Sequence, residues 1–259
     1  MTVEEYHLLP FEPGWKCEYW NGKAHYEPRY HAVVTALAVV PRDVNADCLL
    51  RQPAESDIDA LTPVYVAAFG ETIEYFGYSR EQIAGAARRD LTHYFSGEHG
   101  QPTSASCLAI VSGANPDEEM LAGAAMVTST ANGPLLYLLF VAPQWHRRGL
   151  ATAMVSATIN ELHELGEKRL TSKYHIGNEQ SMGWHQRFGF VEEPDLRRAR
   201  LYMQQARTEL WRREKIGRLT AEELAKLTAD VTRWEAEVEK LERIEEEHGF
   251  AAVHPMSRW

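Results

Sequence analysis

The stretch Leu135-Leu136-Tyr137-Leu138-Leu139-Phe140-Val141 has no charge and no in–out alternation. It is strand length and runs into Pro143, so it reads as a strand with both faces buried. Such a strand needs covering layers on either side. The chain can supply them: 259 residues at 44% hydrophobic composition suffice for one sizeable core, or one core with appendages.

The segment after this strand narrows the chemistry. A short loop leads through Gln144, Trp145, His146, Arg147 and Arg148 to Gly149, and a helix is expected from about Leu150 to Glu164. Its apolar stripe is Leu150, Met154, Ala157, Leu162 and Leu165, with Gly166 at its C-terminal end. The first N–H groups of a helix lack intrahelical partners, and the helix dipole makes that end positive, so phosphate binds there readily. Gly149 lets phosphate approach the backbone, Ala151 keeps the next position small, and Arg147 and Arg148 add positive charge.

Elsewhere the pattern divides the chain into three regions. The first, residues 1–46, contains Asn21-Gly22 between two aromatic-rich runs, a strong hairpin signal because both turn positions need positive φ. A third strand from Ala32 to Val40 would complete an N-terminal β-meander. The second region, 47–194, opens with a short strand at Cys48–Gln52. A helix capped by Asp57 comes next, then one started by the Ser79/Gln82 capping box. Strands are expected at Ser106–Ser112, Leu121–Thr130, Leu135–Val141 and Arg169–Tyr174, the first two joined by Gly113-Ala114-Asn115-Pro116-Asp117. A short helix spans Glu179–Phe188 and stops at Gly189. The third region, 195–259, reads as a helical hairpin, Leu196–Lys215 and then a helix capped by Thr220/Glu223. The second helix carries a heptad seam, Leu224, Leu227, Val231, Trp234, Val238 and Leu241, and Phe250–His254 is expected to return as a strand.

Several function classes drop out. A formal net charge of −10 argues against sequence-independent nucleic-acid binding. No apolar run reaches the ~18 residues of a membrane span, and the N-terminus has no signal-like start, so a cytoplasmic location is expected. Cys17, Cys48 and Cys107 are too few and too far apart for a disulfide framework or a Cys-x-x-Cys metal site. The histidines show no paired spacing on one element, so no metal is expected.

The order strand–loop–helix, with His146-Arg147-Arg148-Gly149-Leu150-Ala151, resembles the acyl-CoA signature Arg/Gln-x-x-Gly-x-Gly/Ala of the GNAT superfamily of N-acetyltransferases. The first position departs from it, with His in place of Arg or Gln. Asn178 through Phe190 resembles the family's later motif, in which Asn opens a helix that ends in an apolar residue and Gly-Phe. The resemblance implies an α/β (α+β) fold with a mixed, twisted sheet flanked by helices. The N-terminal meander and the C-terminal helical hairpin lie outside it. It further implies acetyl-CoA, or another short acyl-CoA, lying where Leu135–Val141 and Arg169–Tyr174 splay apart. The pantetheine arm would pair along the first strand, with the thioester oxygen polarised by a backbone N–H around Phe140 or Val141. The loop from His146 to Thr152, including Leu150 and Ala151, would hold the pyrophosphate, and Asn178 would help place the pantetheine side.

The implied reaction is direct attack of a primary amine on the thioester. The family's proton-donating tyrosine corresponds to His185, and a histidine can act as an acid near neutral pH. Many members carry a glutamate on the strand before the loop, but here that strand has no carboxylate. Tyr137 could relay a proton through water, and Glu71, Glu74 and His31 are candidates for the acceptor side. The missing carboxylate and the helical extension motivate an alternative: an acyl-CoA-binding sensor or assembly subunit without turnover. A homodimer would form through the N-terminal hairpin or the C-terminal helices.

Overall fold

The computed structural model describes residues 1–45, 47–112, 119–217 and 219–258 (of Arg258, the backbone only). The expected connection Gly113–Asp117 lies outside the described residues. The chain divides into two compact units. One contains residues 35–173 and 184–191, and the other residues 1–34, 174–183 and 192–259.

The larger unit holds most of an eight-stranded sheet. Its strands are β3 (Ala32–Ala38), β4 (Leu49–Arg51), β5 (Gln101–Pro102), β6 (Cys107–Ser112), β7 (Glu119–Thr130), β8 (Gly133–Val141), β9 (Arg169–His175) and β10 (Val191–Glu192). The order is β10-β3-β9-β8-β7-β6-β4, with β5 beside β7. β8 pairs antiparallel with β7 and parallel with β9, so the sheet is mixed. Helices α2 (Ile58–Phe69), α3 (Arg80–Ser96), α4 (Leu150–Glu164) and α5 (Glu179–Phe188) accompany it. Two apolar clusters flank the central strands. One joins Leu61, Ile83, Ala87 and Leu91 of α2 and α3 to Leu108, Ala124, Met126 and Phe140. The other joins Met154, Val155 and Ile159 of α4 to Ala109, Ala125 and Leu136. β8 and β7 are thus covered on both faces, which is why neither alternates. Ala122, Gly123, Ala124 and Ala125 of β7 are small, which leaves room for close packing on this strand.

The smaller unit contains α1 (Val3–His7) and a separate two-stranded sheet, β1 (Trp15–Trp20) and β2 (Lys23–Pro28). Asn21 and Gly22 make the turn at φ 50° and 74°. α6 (Leu196–Ile216) and α7 (Ala221–His248) also belong here. Arg200–Glu242, Arg207–Glu235 and Arg213–Glu223 pairs at 2.8–2.9 Å run in opposite chain directions, so the two helices are antiparallel. Thr220 accepts from the Glu223 N–H at 3.2 Å, and the Glu223 carboxylate takes the Thr220 N–H at 2.8 Å.

Three expectations need correction. β3 does not extend the N-terminal hairpin into a meander; it lies in the large sheet between β10 and β9, where Val33, Val34 and Leu37 are buried. Phe250–Ala252 is a 3-10 turn, not a strand. Val253 is buried beside Leu196 and Leu241, and its carbonyl takes the Leu196 N–H, which fixes the segment against α6 instead of a sheet edge. The sheet's last short strand is β10, in line after Phe190. Asp57 does not cap α2: its carboxylate takes Arg51 at 2.7 Å and the Ala54 N–H at 2.8 Å, so it closes the preceding turn.

Candidate active site

Two local features of β8 shape the site. The first is a bulge. Met126 pairs with Leu138 and Val127 with Leu136, so Tyr137 is an extra residue without an opposite number. The second is that the parallel ladder to β9 consists of Leu135↔Thr171 and Leu136↔Ser172. Beyond it, the edge of β8 that faces away from β7 has no ladder among the described residues. The Ala142 N–H goes to the Ala122 carbonyl at 2.8 Å, toward β7. Backbone direction alternates along a strand, so the Phe140 N–H also points to β7. The N–H groups of Leu139 and Val141 point to the open edge.

The loop after β8 is tightly formed. Pro143–Trp145 makes a 3-10 turn, Arg147 has φ 60° and Gly149 has φ 78°. The His146 ring Nε2 lies 2.9 Å from the Val141 carbonyl oxygen. As the carbonyl can only accept, Nε2 carries the proton, and the ring ties the loop back to the end of β8. This is what the departure from Arg or Gln does here. The Arg148 guanidinium stacks 4.9 Å over the Trp145 ring. Gly149 is the N-cap of α4 and supplies no side-chain acceptor, so no side chain caps the helix start. A Cβ on Gly149 would meet nothing nearer than the Asn45 carbonyl oxygen at 3.9 Å, so the approach to the backbone is open. Leu150 is buried and anchors the helix, while Thr152 is exposed. Beside these first turns of α4 lies a cavity of about 340 Å³, whose lining includes Arg42, Thr152, Ser156, Trp184 and Arg187.

The expected site residues fall into different settings. Tyr137 is half-buried, and burial pushes its hydroxyl up to about 12. Its ring lies 5.6 Å from that of His99 and 6.4 Å from that of Tyr94. His185 is only 4% exposed. Its Nε2 lies 2.9 Å from Ser172 Oγ, on the last rung of the β8–β9 ladder, and its ring is edge-on to Trp184 and Phe190. Asn178 uses its side-chain oxygen to accept the Ser181 N–H at 2.9 Å, at the start of α5. His31 is buried, with Nε2 3.0 Å from Asp195 Oδ2, so the smaller unit's core engages it. Glu71 is exposed and Glu74 lies in the turn Ile73–Tyr75.

Sequence reasoning missed the cavity, because Arg42, Ser156 and Arg187 come from three separate segments with no shared spacing. It also missed that His93, Glu98 and His99 gather at the end of α3, with ligand-type atoms all within 4.8 Å of one another. Gly97, at φ 74°, turns the chain there, and a tight turn has no helical spacing to read.

No curated protein sequence matches this chain. Among solved structures, the PaiA N-acetyltransferase from Thermoplasma acidophilum in complex with coenzyme A aligns at 16% identity and a TM-score of 0.44. That alignment covers 56% of this chain and 89% of that one. A GCN5-related N-acetyltransferase from Sphaerobacter thermophilus aligns at 16% identity and a TM-score of 0.40. It covers 62% of this chain, which spans about half (48%) of that protein. AAC(6')-Iy, in complex with the bisubstrate analogue CoA-S-monomethyl-acetylneamine, aligns at 16% identity and a TM-score of 0.38 over 56% of this chain and 91% of that one. The acetyltransferase (GNAT) domain family model matches residues 47–191, more than half of the 259 residues. The chain therefore belongs to the GNAT acetyltransferase domain family.

Proposed function

We propose that the protein transfers an acetyl or similar short acyl group from acyl-CoA to a primary amine by direct attack on the thioester. Family membership supports acyl transfer in general. The observation that carries the finer reading is the open edge of β8 leading to a helix start that no side chain caps.

An extended chain of amides can add to a strand edge as a further strand would. The pantetheine arm does so along Leu139–Val141, with the free N–H groups of Leu139 and Val141 as donors. One of them faces the thioester oxygen and stabilises the charge that develops there. The pyrophosphate rests on the first N–H groups of α4, at Leu150, Ala151 and Thr152, with Arg147 and Arg148 beside it. His146 holds the loop in place through Val141. The nucleotide end of the cofactor occupies the 340 Å³ cavity, where Trp184 offers a ring and Arg42 and Arg187 offer charge for a phosphate. Asn178 shapes the start of α5.

The leaving group is a thiolate, and a thiol such as the cysteine side chain titrates at about 8.5. Tyr137, pushed up to about 12, remains a phenol at neutral pH. Full proton transfer from it to the thiolate is uphill, so Tyr137 serves as a hydrogen-bond donor to the departing sulfur. His185 is too enclosed to meet substrate directly and acts through the Ser172 hydroxyl that it holds.

Calorimetric titration with acetyl-CoA tests this, repeated on a double variant, Gly149→Asp with Ala151→Asp. Both changes put negative charge where the pyrophosphate sits, and Gly149→Asp also strains a left-handed position. Micromolar binding by the parent and at least a hundredfold loss in a variant with unchanged circular dichroism is the expected result. Absence of binding by the parent would sink the reading. Binding without acetylation of any amine in a broad panel would favour the sensor alternative.

A further inference from the structure

The strand before the phosphate loop lacks a carboxylate, yet one reaches its neighbourhood through two phenols. Tyr65 of α2 donates its hydroxyl proton to Asp90 Oδ2 of α3 at 2.9 Å. The same Tyr65 oxygen lies 2.7 Å from the hydroxyl of Tyr75, in the turn between the two helices. A phenol has one proton and a carboxylate only accepts. The Tyr65 proton is committed to Asp90, so Tyr75 must give its own proton to Tyr65. The chain of bonds therefore has a direction, and it ends on a Tyr75 oxygen with lone pairs left and no proton left to give. Whatever meets Tyr75 next must be a donor.

The aromatic surroundings favour a cationic donor, with Arg89 of the same helix 3.7 Å from the other Asp90 oxygen. Tyr65 packs against Phe69 at 4.4 Å and against Phe140 of β8 at 5.4 Å between ring centres, and Tyr75 is edge-on to Tyr78 at 5.7 Å. Phe76 and Tyr78 are each 55% exposed. Aromatic faces attract ammonium groups, and aromatic edges accommodate an apolar stem. Burial raises both Tyr65 and Tyr75, which keeps them as phenols. The contact with Phe140 places this network on the α2–α3 face of the strand where the proposed thioester lies.

We propose that Tyr75, oriented through Tyr65 by Asp90, is the ammonium-recognition group of the acceptor subsite, and that the acceptor is a primary amine carried beside an apolar or aromatic group. Tyr75 touches the acceptor; Tyr65 and Asp90 are positioning residues. This rests on the acyltransferase reading above, since it is Phe140 of β8 that ties the network to the cofactor strand.

The test uses the full chain saturated with CoA, and phenethylammonium and 2-phenylethanol as paired probes that differ only in the donor group. The parent is expected to bind the ammonium at least tenfold more tightly than the alcohol. Tyr75→Phe removes the acceptor oxygen and keeps the ring, so the ratio should fall at least fivefold, to the residual preference that the aromatic faces alone give, with acetyl-CoA affinity unchanged. Asp90→Asn, whose amide can donate as well as accept and so no longer fixes the direction, and Tyr65→Phe, which removes the middle link, should each lower the ratio at least threefold. A parent without preference for the ammonium overturns the inference. So does an unchanged ratio in all three variants, and in both cases retained acetyl-CoA binding leaves the acyltransferase reading standing. Failure of the parent to bind acetyl-CoA overturns both.

Discussion

Lys173 is the residue whose setting says most about the opening beside β8. It comes directly after Ser172, the last rung of the ladder with β8, and it is half-buried. Burial pulls its ammonium down from the ordinary 10.5 to about 8. Between those values the unfolded chain holds a proton that the folded chain does not, so stability rises with pH from about 8 to about 10.5. Below 8 both states are charged, and the cost of the partly buried cation is present in full. Lys173→Met is therefore expected to lack this rise, so its melting difference from the parent changes between pH 8 and pH 10.5. Thermal melts at three pH values check this; a difference independent of pH would show that Lys173 is solvated. At this scale the sequence was uneven. The helix start after the loop from His146 to Thr152 was legible because Gly149, at φ 78°, marks it within consecutive residues. The setting of His185 was not, because its burial depends on Ser172 and Phe190 from other elements. Of Phe140 and Val141, only Val141 turns its N–H to the open edge. The Tyr137 bulge, which offsets the strand's pairing, has no signature in an apolar run.

At the scale of elements, boundaries written in short-range chemistry could be read directly. Asn21-Gly22, Ser79/Gln82 and Thr220/Glu223 each satisfy backbone groups within three residues, so sequence spacing is enough. The partners of β3 and the conformation of Phe250–Ala252 could not be read, since what each packs or pairs with is more than a hundred residues away or on another helix. The contact between β7 and β8 shows how much one residue can set. Gly123 lies opposite Val141, and a Cβ there would overlap the Phe140 carbonyl oxygen and stand 3.0 Å from Val141 Cα. Both obstacles are backbone and cannot rotate away. Gly123→Ala is expected to force the two strands apart and destabilise the fold by about 1–3 kcal/mol, as overpacking does. The displaced residues carry the proposed pantetheine donors, so acetyl-CoA affinity should fall as well. Denaturant unfolding and calorimetry on the same sample check both parts. Wild-type stability would mean that β7 moves freely there, and the close approach would then have no role in shaping β8.

For the whole molecule, the expected division into 1–46, 47–194 and 195–259 treats the helical hairpin as an appendage. The smaller unit is instead assembled from three stretches of chain. Val33, Tyr174, Ile176 and Leu201 share one apolar cluster, with Phe11 and Tyr202 packed on it. The Ile176 N–H goes to the His31 carbonyl, the Glu193 N–H to the Val34 carbonyl, and the His31 ring meets Asp195. Asp195 also accepts the Arg198 N–H at 2.9 Å and so starts α6. A chain ending at Pro194 loses Leu201 and Asp195 together. Val33, Tyr174 and Ile176, now at most 5% exposed, would face water. Uncovering three such side chains costs several kcal/mol, at about 1.5–3 kcal/mol each, and His31 would lose its carboxylate. The N-terminal stretch should then unravel even though it lies far from the truncation in sequence. Hydrogen exchange is the direct readout: amides of 15–34 are expected to lose protection, while those of Cys107–Ser112 and α4, which belong to the larger unit, keep theirs. Unchanged protection of 15–34 would restore the view of the hairpin as separable. If protection is lost, a change in oligomeric state after deletion of the hairpin reports the loss of this core, and it cannot by itself assign a dimer contact to α6 and α7.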